Sequence, residues 1–309
     1  MGKYPTTIVV FYCCIVLLLL GLYYGNYSIP STSTASTALY ENFKNERKTY
    51  SFYNKWHYGD NILNLKFFYV MAPVLKKNGI RINYYYDASY IKNVDELERY
   101  VDKSVVRLYP ITILPLDAIE LWMSNNIMKG GKTYTHRPEF DVYYNAFYEN
   151  IASILRIPVT PAQTSLYQNE TYLPVVYTTL DAKFKNLDIL VINAKPQSSQ
   201  FVYDEGKMNE LCLHLKKKNY NIATTGFVAD SIPCTMTSGL KMQDIGAIST
   251  RCKYIICSFT GPSTACFNRF TKEYVKNWFV FQDSPLLLTE LNNVHYITSD
   301  KFNTIYSFF

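Results

Sequence analysis

The chain has 309 residues, long for one domain and comfortable for two. An apolar fraction of 48% with 18% charged residues is the balance of a folded protein and argues against disorder as the default. The net charge of +6 suits an anionic ligand or a membrane surface, but Lys and Arg are nowhere dense enough to argue for nucleic acid.

The first element is "TTIVVFYCCIVLLLLGLYYG", residues 6–25, which carries no charge. About 20 apolar residues at ~1.5 Å rise cross a bilayer core of ~30 Å. Tyr23 and Tyr24 fall where an interfacial aromatic belt would lie, and Lys3 marks the short side as cytosolic. The expectation is a signal-anchor over residues 1–25, single-pass, with the bulk of the chain lumenal (Golgi/ER) or extracellular. A cleaved signal peptide is the rival, with "STSTASTA" as a cleavage region. Residues 26–47, Ser/Thr-rich in part, read as a flexible stem.

Strand and helix signals then alternate. "KTYSFYN" (48–54) is a strand, and "NILNLKFFYVMA" (61–72) carries apolar residues at helical spacing, with Pro73 expected to kink it or to start another turn. "IRINYYY" (80–86), the helix "NVDELERYV" (93–101), the strand "SVVRLYP" (104–110) and the helix "EFDVYYNAFYENIASIL" (139–155), with Asp141 as a possible cap, follow. The proline-rich stretch 156–174 reads as a connection between two lobes. The stretch 187–198 reads as a fully apolar strand followed by a polar loop, and strands at 220–225, 254–259, 278–281 and 294–298 then alternate with helices at 205–218 and 241–252. The expected organisation is an N-terminal lobe over 48–160, a linker over 161–186 and a C-terminal lobe over 187–309. Each lobe is an α/β, Rossmann-like unit with a mostly parallel sheet, and ligands bind in the cleft at the carboxyl ends of the strands.

Polar residues at those strand ends are the site candidates. "WHYGD" (56–60) places His57 and Asp60 at a helix start. Asp60 reads either as a helix cap or as a general base, and His57 either as a second base or as an aromatic neighbour. "NAKPQSS" offers Lys195, Gln197 and Ser198 as donors to a diphosphate. "SFTGPSTACFN" (258–268) is a small-residue turn after an apolar strand: Thr260, Gly261, Pro262 and Ser263 allow close backbone approach, and the helix start favours an anion. A plain strand–helix turn would look similar. Neither GxxxxGK[ST] nor GxGxxG is present. His136 and Arg137 in "KTYTHRPEF" are candidates for an acceptor side, or simply part of a solvated loop. No metal site and no cofactor is expected: Cys212, Cys234, Cys252, Cys257 and Cys266 lack zinc-ligand spacing and read as buried small hydrophobes, with one or two disulfides open among them. Asn169–Glu170–Thr171 is a glycosylation sequon.

"HYGDNILNLKFF" early and "DIGAISTRCKYIICSFTGPSTACFN" late together resemble GT-B glycosyltransferases of the heptosyltransferase-like group. The resemblance implies Asp60 as the base and Thr260–Gly261 as the turn that holds the donor diphosphate, with Lys195 as a looser match. The His expected after the late turn is replaced by Ala265–Cys266. What it implies is an inverting transfer of sugar from a nucleotide-diphosphate donor to a hydroxyl of a glycan or glycoconjugate, without an obligatory metal. Two alternatives stand beside it: a non-catalytic, membrane-anchored binding or structural protein that retains the fold, and another transferase of similar fold, fucosyl or pyruvyl.

Overall fold

The computed structural model describes residues 48–122, 128–129, 132–133, 139–197 and 201–309. The expected anchor and stem, and the candidates Ser198, His136 and Arg137, lie outside the described residues. Among the described residues no helix is long and apolar enough to cross a membrane.

The first sheet is built from β1 (Lys48–Asn54), β2 (Ile80–Tyr86), β3 (Val106–Pro110) and the two-residue β4 (Ile119–Glu120). Its order is β3-β2-β1-β4 and every pairing is parallel. β2 shows the reason in its sequence: Ile80, Ile82, Tyr84 and Tyr86 are buried while the residues between them are only half-buried, the period-2 signature of a strand with one face in the core. β1 leads into α1 (Tyr58–Lys77). Every residue of α1 from Asn61 to Phe68 is buried, so this helix is covered on all sides rather than amphipathic. Pro73 lies inside it without ending it. Gly79, with φ of +64°, turns the chain from α1 into β2. The charged segment at 93–101 is helical only over α2 (Asp95–Glu98). A short antiparallel pair, β5 (Met128–Lys129) with β6 (Lys132–Thr133), and the helix α3 (Phe140–Leu155) complete this part. Asp141 does not cap α3. Glu139 holds the cap position, and buried Asp141 accepts instead from Thr289 Oγ1 and the Glu290 amide.

The second sheet contains β7 (Ile189–Ile192), β8 (Ile222–Thr224), β9 (Tyr254–Ser258), β10 (Asn277–Phe281) and β11 (Val294–Ile297). Its order is β11-β10-β9-β7-β8, again all parallel. The strands alternate between two apolar clusters. Leu190, Ile192, Ile255, Cys257, Trp278 and Val280 join the core shared with α1 and α3. Ile189, Val191, Ile256, Phe279 and Phe281 pack on α6 (Glu205–Lys217) and on a C-terminal 3₁₀ segment, Ser299–Phe308, that periodicity did not predict.

The segment read as the connection between two lobes is packed. Pro161 and Pro174 stand in the first turns of α4 (Pro161–Thr164) and α5 (Leu173–Thr179), so these prolines start helices rather than interrupt structure. Leu166, Tyr167 and Leu173 between them are buried, and Gln168 bridges to Asn268 beside the second sheet. The sequon's Asn169 is exposed while its neighbour Glu170 is buried. All five cysteines of the described residues are unpaired and buried, so they act as small hydrophobes and the disulfide option is not realised.

Candidate active site

A cavity of about 500 Å³ opens where strands of both sheets end. The β1–α1 turn contributes Trp56, His57, Tyr58, Gly59 and Asp60, and Trp122 follows β4. From the second sheet come Lys195 and Gln197 after β7, and Phe259, Thr260, Gly261 and Pro262 after β9. Seven sequence candidates, Asp60, His57, Lys195, Gln197, Thr260, Gly261 and Pro262, therefore meet on one wall system. Ser263 does not. It is fully buried, and its hydroxyl accepts from the Thr260 amide (2.9 Å) and donates to the Thr260 carbonyl (2.8 Å), so it shapes the turn from behind.

Asp60 is the third residue of α1 and not its cap. His57 holds the cap position with extended backbone (φ −72°, ψ 173°) and gives no side-chain bond to the helix. The carboxyl group of Asp60 is half-buried on the cavity wall, and loss of water pushes its pKa up from 3.8 to about 6. Burial also lowers the pKa of His57, whose ring meets the edge of Tyr90 at 4.8 Å. Near neutral pH the turn therefore presents an ionised carboxylate and a neutral imidazole.

A buried polar network fixes this turn. Asn61 Nδ2 donates to the carbonyls of both Trp56 and His57 at 2.9 Å. Its Oδ1 accepts from Tyr84 (3.0 Å), whose oxygen accepts from Asn64 Nδ2 (3.1 Å). Asn64 Nδ2 also reaches the Leu121 carbonyl (2.8 Å), which Asn54 Nδ2 shares, while Asn54 Oδ1 takes the Trp56 amide (2.8 Å). Satisfied buried networks of this kind hold one geometry firmly.

α7 (Met242–Ser249) leads into β9, and the opening of α8 (Gly261–Ala265), which follows β9, faces the opening of α1. A Cβ on Gly261 would stand 3.2 Å from Met242 Cε, 3.4 Å from Tyr58 Cβ and 3.6 Å from the Gly59 nitrogen; one on Gly59 would stand 3.2 Å from Thr264 Cγ2. The two glycines let two helix starts approach, and Gly261 serves by its lack of bulk, since its φ lies outside the left-handed region. Thr260, which caps α8, has a buried Oγ1 with no hydrogen-bond partner. The α8 turn offers few free amides, because Pro262 has none and the amides of Ser263 and Thr264 go to the Thr260 carbonyl. The first amides of the twenty-residue α1 lie beside it and add a stronger dipole.

Sequence reasoning passed over the aromatic wall: Trp56, Trp122, Phe140, Tyr144 and Phe259. The available signal was that Trp56 stands inside the "WHYGD" stretch itself.

Two all-parallel α/β sheets with a cavity at the carboxyl ends of their strands are the arrangement expected of a GT-B fold. Among solved structures, the Escherichia coli heptosyltransferase WaaC with ADP matches at 10% identity over 84% of this chain and 98% of that one, with a TM-score of 0.50. A glycosyl transferase family 9 protein from Veillonella parvula matches at 11% identity over 86% and 90%, TM-score 0.45. The E. coli ADP-heptose lps heptosyltransferase II matches at 9% over 80% and 90%, TM-score 0.44. The WaaC likeness establishes the fold. No protein-family model and no curated protein matches the chain.

Proposed function

We propose that the protein is an inverting glycosyltransferase that moves a sugar from a nucleotide-diphosphate donor to a hydroxyl of a glycan or glycoconjugate. The observation that carries this reading is the meeting, in one cavity, of a carboxylate with a raised pKa and a glycine-lined pair of helix starts. Asp60 takes the proton of the acceptor hydroxyl, and the oxygen attacks the anomeric carbon from the face opposite the diphosphate. The old carbon–oxygen bond breaks and its electron pair leaves with the diphosphate. Lys195, Thr260 and the amide of Gly261 stabilise that growing charge, with the dipole of α1 behind them. The 48–160 lobe takes the acceptor and the 187–309 lobe the donor, and residues 1–25 hold both on the lumenal or outer side of a membrane.

Two measurements test this. A panel of nucleotide sugars is screened by thermal shift and by release of nucleoside diphosphate. A donor at about 100 times its Kd adds ~2.7 kcal/mol, a rise in Tm of roughly 5–10 °C for a domain of this size. Absence of both shift and release across the panel would sink the proposal. The turn is tested by Gly261→Val, whose side chain forces α8 away from Tyr58 and Gly59. Affinity for the donor identified is expected to fall at least about tenfold, with about 1–3 kcal/mol of overpacking strain. Gly261→Ala should do much less, since the methyl end of Met242 can move. Full donor affinity in a folded Gly261→Val protein removes the turn from the site.

A further inference from the structure

Proton transfer and phosphate binding leave one wall of the cavity unused. Trp56 and Trp122 both line it, with ring centroids 4.5 Å apart and planes at 31°. The rings are too close to admit a ligand between them, so whatever they bind lies on their open surface. The pair is built by topology: β1 and β4 are parallel neighbours with Tyr53 opposite Glu120, and each strand delivers its tryptophan just beyond that register. Both backbones are held by the same buried amides. Asn54 and Asn64 grip the Leu121 carbonyl, while Asn54 and Asn61 grip the amide and carbonyl of Trp56.

We propose that Trp56 and Trp122 form the acceptor platform, a subsite that stacks the C–H face of a pyranose ring. This rests on the glycosyltransferase reading above. The platform belongs to the same β1–α1 turn as Asp60, whereas Lys195, Thr260 and Gly261 follow strands of the second sheet. A ring seated on it therefore lies beside the proton acceptor. An aromatic surface suits the apolar face of a sugar ring, so the ring bound here is a neutral pyranose.

Methyl α- and β-pyranosides of glucose, galactose, mannose and N-acetylglucosamine serve as probes for the full-length protein. At least one is expected to change the tryptophan fluorescence saturably, with the signal retained in saturating ADP or UDP. Trp278 lies in the core and supplies a constant background. By calorimetry, Trp56→Ala should weaken that pyranoside about tenfold, the equivalent of losing ~1.4 kcal/mol of stacking. Trp56→Phe should fold as the parent does and lose only part of the affinity. If no pyranoside binds, or if adenosine or uridine competes for the same rings, the platform is overturned, and in the second case it is a nucleobase site. Pyranoside binding requires neither donor nor turnover. A protein that binds pyranosides but no nucleotide sugar loses the transferase reading and keeps the platform; one that transfers sugar while pyranosides leave Trp56 and Trp122 untouched loses the platform alone.

Discussion

Asp60→Asn is expected to lower turnover by about 10²–10⁴ while donor affinity stays near that of the parent. Asparagine keeps the size of the side chain but cannot take a proton near neutral pH. Two pH dependences follow from a pKa held at about 6 by burial. The rate constant kcat/KM should rise through about pH 6 as the carboxylate ionises and level off above it. Stability runs the other way. The folded pKa lies above the ordinary value of 3.8, so the folded protein binds the proton more tightly than the unfolded chain. The stability this gives is fully present below about pH 4 and is lost as pH rises through about 6. Asp60→Asn should therefore melt with the parent at pH 4 and above it at pH 7, a base that costs stability where it works. An Asn variant that turns over normally would leave the fold without this mechanism and make His57 the next candidate for the base.

How much of this was legible in the sequence depended on the scale of each signal. β1 and β2 were read to the residue; β2 alternates over all seven positions with one buried face, a strong pattern, and β1 does so over its last three. β4 has two residues and no period, so neither it nor the Trp122 it delivers could be seen. The β1–α1 and β9–α8 turns were legible as small-residue turns between apolar strands and helices. Their contact was not, since it joins Gly59 to Gly261 across most of the chain. Ser263 was read as a small residue of the phosphate turn, and sequence cannot tell which side of a turn a serine faces; its hydroxyl faces inward, onto the backbone of Thr260. The short helices of the connecting segment were hidden for a related reason: a proline at a helix start and one in a free loop read alike until the apolar residues beside them find a core. Lys66 gave no sign at all, because a lone lysine in a helix ordinarily marks the solvent face.

That lysine has the largest expected effect on stability. Lys66 and Glu170 are 1% and 2% exposed, with Nζ 2.7 Å from Oε2, which makes this a fully desolvated ion pair. Lys66 Nζ also donates to the carbonyl of Phe267 at 2.7 Å and lies 3.4 Å from that of Thr264, at the end of α8. Tyr172 donates to the other oxygen of Glu170. Burial raises the pKa of Glu170 even against the pull of Lys66, a sign of how much desolvation the pair must offset. Lys66→Met should cost about 3–5 kcal/mol, because it strands Glu170 and uncaps two carbonyls at once. Glu170→Gln should cost less, since Lys66 keeps its carbonyl partners and the amide oxygen can still accept. Lys66→Met combined with Glu170→Leu should recover part of the loss, as removal of both charges spares the uncompensated carboxylate. Urea unfolding of the four proteins measures all of this, and a Lys66→Met protein within about 1 kcal/mol of the parent would refute it. The same bonds tie α1, which carries Asp60, to the end of α8, which carries Gly261. A Lys66→Met protein that still folds should therefore lose donor affinity as well, because the glycine contact between the two helix starts depends on that tie.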